Sequence, residues 1–595
     1  MRVRTTRLVA SIADILTRRA GAAFAAQGLP ESLGRVVESG RPDLAPYQCN
    51  GAMAAAKIAG KPPRAIAEAV AASLEGDELI ETIEIAGPGF INLTPKTPVY
   101  AARAAEIAAD AMAGAESVET PRGVVIDFGG PNVAKPMHVG HLRSSIIGDS
   151  LQRLFRFRGD TVTSDVHLGD WGLQMGQLIT EVARVMPDLP YFDESFTGPY
   201  PDESPVTMDD LQLLYPRASA ACKEDKARLE EARQATRDLQ AGRAGYVALW
   251  RHFAAVSKAA LEADFAALGV HFDLWKGESD VDALVPGMVE DLKSRGVTHE
   301  DQGAWIIPVA REDEKRELPP FLLLKSDGAA LYETTDLATI LDRKKEQNPD
   351  LILYVVDARQ ADHFEKVFRA ADKAGYFDRA QLEHIGFGTM NGPDGKPFKT
   401  REGGVLKLSD LIRMATDKAR ARLEEAGLGQ EGSAEEREAV ARAVGIAAIK
   451  FADLSNLRTT NYIFDLDRFV AFEGKTGPYL LYAAVRIKSM MRKAKEQGVA
   501  PGEIFIGADE EAALVRALDG FALAASEAYD KRSPNYLCDH AFTLAQAFSK
   551  FYANCPVLGA EDESVKASRL ALAALTLKQL EAVFSLIGID APERM

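Results

Sequence analysis

Three observations predict a multidomain α/β protein organised on a parallel sheet. A β-branched run at residues 123–128 ends in a glycine turn and leads into a helical pattern. The β-α-β alternation so begun breaks at Pro187 and resumes after residue 300, and from about residue 407 the pattern is almost entirely helical. The expected architecture is a Rossmann-type parallel-sheet core carrying an insertion, with an N-terminal α+β add-on unit before it and a C-terminal α-helical domain after it.

The 595 residues allow roughly three to five domains. At 47% hydrophobic and 26% charged, the composition is that of a globular protein. No apolar run approaches the roughly 18 residues of a membrane span, so no membrane contact is expected. With 70 Lys and Arg against 87 Asp and Glu, the net charge is −17. Indiscriminate nucleic-acid binding needs a basic surface, so any nucleic acid must meet local basic patches. Cys49, Cys222, Cys538 and Cys555 have no C-x-x-C spacing and read as reduced, buried thiols of a cytoplasmic protein.

In chain order, residues 1–112 form the first unit. Arg2, Arg4, Arg7, Arg18 and Arg19 against the single acid Asp14 look superficially like an organellar transit peptide. Leu8, Val9, Ile12, Ile15 and Leu16, however, form a helical stripe that runs on into patterned sequence, which favours a structural helix. The segment Tyr47 to Met53, an Ala-rich helix from Pro63, and short strands ending in Gly87 to Leu93 complete the unit. A linker around Gly114 to Pro121 follows.

The core begins with Gly123 to Phe128, a buried strand, then the turn at Gly129, Gly130 and Pro131. A helix over 138–158 is expected, with Pro136 in its first turn. Its N-terminus is a ready anion site. His138 and His141, three residues apart, project from one helical face and can clamp a single phosphate. A metal pair would need at least a third ligand, and His167 and Asp170 lack zinc-type spacing, so no metal site is expected. A strand over 161–166 and a helix over 171–186 close the first half, 118–187.

Residues 188–300, Pro-, Tyr- and Asp-rich and then helical, read as an insertion with Val247, Leu249, Trp250, Phe253, Val256 and Leu261 as its stripe. Strand signals at Trp305 to Ile307, Phe321 to Leu324 and Leu351 to Val356 read as the second half-sheet, 301–385. The glycine- and lysine-rich stretch from Gly386 cannot be regular structure. It carries Lys396, Lys399 and Arg401, cations suited to neutralising phosphate charge transiently, although taken alone it reads equally as a solvated surface turn. Residues 386–450 hold this loop and the segment after it, and 451–595 the helical domain.

With the H-V-G-H motif, the split sheet and the late lysine loop in this order, the chain resembles the arginyl-tRNA synthetases, a family of class I aminoacyl-tRNA synthetases. The resemblance spans the whole chain: Tyr47 to Gly51, Gly87 to Asn92, Pro131 to Arg143, Leu331 to Leu337, Phe472 to Tyr482 and Ile587 to Met595. It implies an arginine–tRNA ligase that activates L-arginine with ATP and transfers it to the 3′-terminal adenosine of tRNA(Arg). Magnesium would be carried by the phosphates, residues 451–595 would bind the anticodon, and the enzyme would act as a monomer in the cytoplasm.

A guanidinium needs planar carboxylates. Asp127 ends the first strand, where open sheets bind ligands, and Tyr332 and Asp336 share a helical face. Read singly, Asp127 is equally a turn-capping carboxylate and Asp336 a helix-terminal acid. The resemblance places Asp127, Asn132, Tyr332, Asp336 and Gln360 around arginine. It places Pro131, His138, Gly140, His141, Lys396 and Lys399 at ATP, with His138, His141, Lys135, Lys399 and Arg401 catalytic. The family's K-M-S-K is replaced by Lys396-Pro397-Phe398-Lys399-Thr400-Arg401, which leaves open which cation meets pyrophosphate, and Lys135 is implied to supply the missing charge. Leu481 stands where relatives often have glutamine. For tRNA, Gln48, Asn50, Phe90 and Asn92 read as an exposed amide and aromatic set for an elbow base, or for Phe90 equally as core, with Tyr479 and Tyr482 at the anticodon. Rival readings are another class I synthetase or a small-molecule adenylyltransferase, and a catalytically silent tRNA-binding paralogue. The family further implies that arginine activation waits for tRNA.

Overall fold

The computed structural model describes residues 10–311, 314, 317–392, 394–396, 406–429 and 432–595. Five parallel strands form the central sheet in the spatial order Leu382–His384, Leu351–Val355, Gly123–Phe128, Thr161–Leu168 and Leu274–Gly277. Numbered by position in the chain that order is 5-4-1-2-3. The chain therefore reverses between Gly123–Phe128 and Leu351–Val355, and ligands of doubly wound sheets bind at the carboxyl ends on either side of such a reversal.

The helix Val139–Arg158 packs on this junction. A side chain at Gly148 would overlap the Phe128 ring, so only glycine lets helix and strand meet there. Ser144 Oγ accepts a bond from Gly129 N–H at 2.8 Å and donates to Val355 O at 2.6 Å, tying the helix to the ends of both strands. Under the sheet, the buried Arg343 guanidinium reaches Asp127 Oδ2 at 2.6 Å and Asp165 Oδ2 at 2.8 Å, across the first two strands.

Two sequence expectations about the sheet are corrected. Ala304–Ile307 and Phe321–Leu324 do not extend the parallel sheet; with His299–Asp301 they form a separate antiparallel one. Gln302 and Gly303, at φ 51° and 82°, make the two-residue hairpin turn that antiparallel pairing uses, and among the described residues no crossover helix lies between these strands. Conversely, Leu274–Gly277, placed by the sequence inside the insertion, is the edge strand of the central sheet. The inserted helices Met208–Glu224, Lys226–Gln240 and Ala244–Ala267 pack on Leu173–Val185, whose buried Glu181 is paired with Arg217 and Arg228.

The N-terminal unit opens on the helix Ile12–Ala26, capped by Ser11 and Asp14; the earlier part of the predicted stripe, Leu8 and Val9, lies outside the described residues. Its four strands run in the order Val36–Glu38, Tyr47–Cys49, Phe90–Pro95, Ile80–Ala86, all antiparallel. The unit docks on the C-terminal helices through the buried Asp519, which accepts from Arg103 Nε at 2.5 Å and Ile12 N–H at 2.8 Å. Against the hydropathy expectation, one C-terminal helix, Glu563–Ile587, is long and apolar enough to cross a membrane, but 61% of its most apolar window is buried. It is a core helix of the bundle.

Replacing Arg343 with Met leaves two buried carboxylates facing each other without a cation, a loss on the order of 3–5 kcal/mol. The thermal midpoint of the variant should fall well below that of the parent, with Arg343→Lys between the two. A midpoint unchanged in Arg343→Met would show that the triad is not structural.

Candidate active site

After the first strand the chain turns through Gly129 and Gly130, both at positive φ. Asn132 then pairs backbone to backbone with Gly169, at the end of the neighbouring strand. Ala134 holds φ 65°, a conformation costly for a residue with a Cβ. Its N–H donates to the buried Ser257 Oγ at 2.9 Å, so an inserted helix maintains the strained residue. Lys135 Nζ lies 4.8 Å from the centre of the Tyr215 ring, on another inserted helix.

The helix starts at Val139, with His138 as its cap, so Pro136 lies before the helix rather than in its first turn. His138 Nδ1 accepts from Gly140 N–H at 3.0 Å, and His141 Nδ1 accepts from His138 N–H at 3.2 Å. The ring centres are 4.0 Å apart. Burial, with Lys135 nearby, holds His138 below the ordinary histidine range, and burial, His138 and Lys135 together push His141 down to about 3. Both imidazoles are therefore neutral at pH 7. Because each Nδ1 accepts, each Nε2 carries the hydrogen. The pair offers two donors and no charge, so positive charge for a polyphosphate must come from elsewhere.

The lysine loop is framed on the same motif. Met390–Asn391 before it pairs in parallel with Tyr462–Ile463. After it, Val139 N–H donates to Leu406 O and Leu408 N–H to Met137 O, both at 3.0 Å. Lys407 Nζ donates to Gln212 Oε1 at 2.6 Å. Lys396 is exposed in a turn in which Gly392 N–H donates to its carbonyl at 2.8 Å. Lys399 and Arg401 lie outside the described residues.

A second group of side chains, acidic in character, lies near the sheet reversal. Tyr332, 58% exposed, begins the helix Tyr332–Glu346 and lies over His363, ring centres 4.9 Å apart. Asp336 Oδ2 is 2.7 Å from His363 Nε2. Burial opposes the charged imidazole, but Asp336 and Glu333 outweigh it and raise His363 to about 9. Glu278, directly after the edge strand, is pushed up by burial, with Asp170 and Asp336 adding to the rise and His167 opposing it. Burial also raises Asp170, which accepts from Ser279 N–H and Oγ. Both ring nitrogens of the nearby His167 are buried without a hydrogen-bond partner among the described residues. Gln360 is exposed in the turn before the helix Ala361–Lys373.

Asp127 departs from expectation: its Oδ2 is taken by Arg343, so it is first a structural carboxylate. The sequence missed Glu278, His363 and Ser257. The end of the edge strand would have flagged Glu278, but four residues give too weak a strand signal.

In the N-terminal unit, Asn92 is buried and accepts from Gln48 Nε2 at 2.9 Å, so these two amides bond each other across the sheet instead of standing exposed. Asn50 is exposed and Phe90 half-buried. In the C-terminal domain Tyr479 is packed edge-on to Phe542 and bonded to Ser549. Tyr482 lines a cleft of about 550 Å³ with Arg486, Lys493, Tyr552 and Met595. The Arg486 guanidinium lies 4.6 Å and 5.3 Å from the Tyr482 and Tyr552 rings.

Residues 105–466 match the family model of the class I (R) tRNA synthetase catalytic domain, residues 480–595 the DALR anticodon binding domain, and residues 7–94 the arginyl-tRNA synthetase N-terminal domain. The arginine–tRNA ligases of Maricaulis maris and Hyphomonas neptunium are 64% and 56% identical, each over 98% of this chain and 100% of its own length. The crystal structure of the Plasmodium falciparum arginyl-tRNA synthetase is similar with a TM-score of 0.77 at 25% identity, covering 98% of this chain and 99% of that one. The Thermus thermophilus arginyl-tRNA synthetase, with a TM-score of 0.75 at 24% identity over 98% of this chain and 100% of its own, shares the fold.

A methyl group at Gly140 would sit 2.6 Å from His138 Cε1 and displace that ring, while the exposed helix start tolerates alanine. Gly140→Ala should slow ATP-dependent activation on the order of 10²-fold, the scale for losing one preorganised donor, with the thermal midpoint unchanged. A variant as fast as the parent would show that the ring's position is immaterial.

Proposed function

The chain belongs to the arginyl-tRNA synthetase family of class I aminoacyl-tRNA synthetases, and from that premise we propose how its residues divide the reaction. The enzyme is an arginine–tRNA ligase, joining arginine to tRNA(Arg) in an ATP-dependent reaction. ATP lies with its phosphates at the start of the helix Val139–Arg158, beside Pro131 and Gly140. The Nε2–H groups of His138 and His141 donate to the phosphate oxygens. Lys135 and the loop cations, Lys396 and, in the stretch beyond the described residues, Lys399 and Arg401, balance the charge that develops on pyrophosphate. The observation that carries this reading is the neutral imidazole pair: two fixed donors at a helix N-terminus, with the cations held on neighbouring elements.

Arginine lies at the acidic group near the sheet reversal, its guanidinium against Asp336 and Glu278 with Tyr332 over it and Gln360 beside them, and Asn132 holding its amino or carboxyl end. An arginine carboxylate oxygen attacks the α-phosphorus in line; the bond to the bridging oxygen breaks and pyrophosphate leaves. The terminal ribose 2′-hydroxyl of tRNA then attacks the acyl carbon, and AMP leaves. Positioning and charge stabilisation supply most of the acceleration. Magnesium arrives on the ATP phosphates; among the described residues no three His, Cys, Asp or Glu side chains are grouped as ligands, and no step is assigned to a protein-bound ion.

For tRNA, the cleft of Tyr482, Tyr552 and Arg486 suits a splayed anticodon base, with ring faces for stacking and cations for the backbone; Tyr479, packed inward, shapes its wall. Asn50 and Phe90 offer the elbow an amide and an aromatic edge, with Gln48 and Asn92 as their support. We place the enzyme in the cytoplasm as a monomer: its four cysteines are buried free thiols, and its exposed large apolar residues, such as Leu44, Ile58, Leu213 and Leu523, are scattered along the chain.

Amino-acid-dependent aminoacylation of total tRNA tests the assignment, and Asp336→Asn tests the pocket. A guanidinium facing an amide loses a charge-assisted pair, ~3–5 kcal/mol once the substrate covers the site. The arginine KM should rise accordingly while ATP use is spared, and citrulline, uncharged at that end, should be a poor substrate of the parent enzyme. An unchanged arginine KM in Asp336→Asn would count against the pocket.

A further inference from the structure

We infer that His363 is a positioning residue for arginine selection: it fixes the Asp336 carboxylate through one oxygen and stands in for the guanidinium until the substrate arrives, when its proton is released to solvent. The inference rests on the reading of Asp336 as the guanidinium ligand.

His363 lies in the first turn of the helix Ala361–Lys373, which follows directly on the turn at the sheet reversal. Its Nε2 is 2.7 Å from Asp336 Oδ2, and its Nδ1 faces Glu333 Oε1 at 3.8 Å. The ring is held between Tyr332, centres 4.9 Å apart, and the edge of Phe364 at 5.1 Å. The side chain is 10% exposed, so its rotamer is packed as well as bonded. The charged and titratable groups facing it are Glu333, Asp336 and the Tyr332 phenol from the helix Tyr332–Glu346, and Lys366 from its own helix, which is bonded to Glu333. Glu278 and Tyr354 act on Asp336 from the sheet side.

Charge decides the rest. Around His363, Glu333, Asp336 and Lys366 are in contact, with Glu278 on the sheet side of Asp336. A guanidinium docking on Asp336 sets a second cation against a protonated His363 on one carboxylate, and loss of the His363 proton relieves that repulsion. Deprotonation also frees Asp336 from a cation that competes with the substrate. By linkage, arginine then binds more tightly as pH rises toward the free-enzyme value of His363, while the imidazole keeps the carboxylate oriented.

The test is calorimetric titration of the full-length enzyme, with tRNA(Arg) bound, by L-arginine at about pH 7.5 in two buffers of different ionisation enthalpy. Arginine's own α-ammonium is a possible proton donor at that pH, so the protons assigned to His363 are those the parent releases and a His363 variant does not. The parent should release a large part of one proton per arginine, and its arginine KM should fall several-fold from about pH 7 to about pH 8.5. His363→Gln keeps a donor toward Asp336 but cannot titrate; it should release that much less and lose the pH slope, a change that mere loosening of the fold would not produce. His363→Asn serves if that variant does not fold. A parent that releases no proton, or a His363 variant that releases as many, would overturn the inference. The outcomes separate it from the pocket reading: unchanged arginine affinity in Asp336→Asn brings down the pocket, whereas weakened affinity there with parental proton release in His363→Gln brings down only the role of His363.

Discussion

One buried guanidinium holds the catalytic parts in register. Arg143 lies two residues after His141 and is 2% exposed. Its Nε pairs with Asp453 Oδ2 at 3.0 Å, and its Nη1 donates to Gly388 O at 2.7 Å and Thr460 O at 3.0 Å. The guanidinium lies 5.2 Å from the Tyr462 ring and 5.8 Å from that of Phe387. Burial pushes the Asp453 carboxyl up, and Arg143 opposes it. Neither charge can be left alone at this depth. The histidine helix, the segment that leads into the lysine loop and the helix Ala434–Leu454 are therefore bound to one another.

From that constraint follows a division of labour. The helix start supplies two neutral donors, and the inserted helices secure the strained turn through Ser257 and meet the cations through Tyr215 and Gln212. Neutral donors cost less to bury than cations and retain their geometry when ATP is absent. In the proposed reaction the acidic group across the sheet reversal handles the opposite charge, while Arg343 holds Asp127 and Asp165.

Sequence reading was sharpest where a strong local signal met a buried position. Gly123–Phe128 is the strand the β-branched run predicts, the following helix begins one residue later than expected at Val139, and the strand Thr161–Leu168 runs two residues further. Pairing partners were the hidden quantity. Nothing local distinguishes Trp305 to Ile307 from a parallel strand until the Gln302-Gly303 turn is seen, and Leu274–Gly277 is too short to stand out inside an apparent insertion. In the candidate site, the pairing of His138 with His141 and the shared helical face of Tyr332 and Asp336 were legible from spacing, whereas Asn132 and Gln360 were named through the resemblance alone. The seizure of Asp127 by Arg343, the bonding of Asn92 to Gln48 and the contact of His363 with Asp336 bring together residues distant in sequence. An apolar stretch such as Glu563–Ile587 likewise declares its length but not what surrounds it.

The central claim is that the clamp works with uncharged imidazoles, and nitrogen NMR of histidine-labelled full-length enzyme tests it most directly. On lowering the pH from about 8 to about 5, through the ordinary histidine value of about 6.5, His141 should keep a protonated Nε2 and a bare Nδ1. Conversion of its ring to the doubly protonated cation within that range would contradict the account.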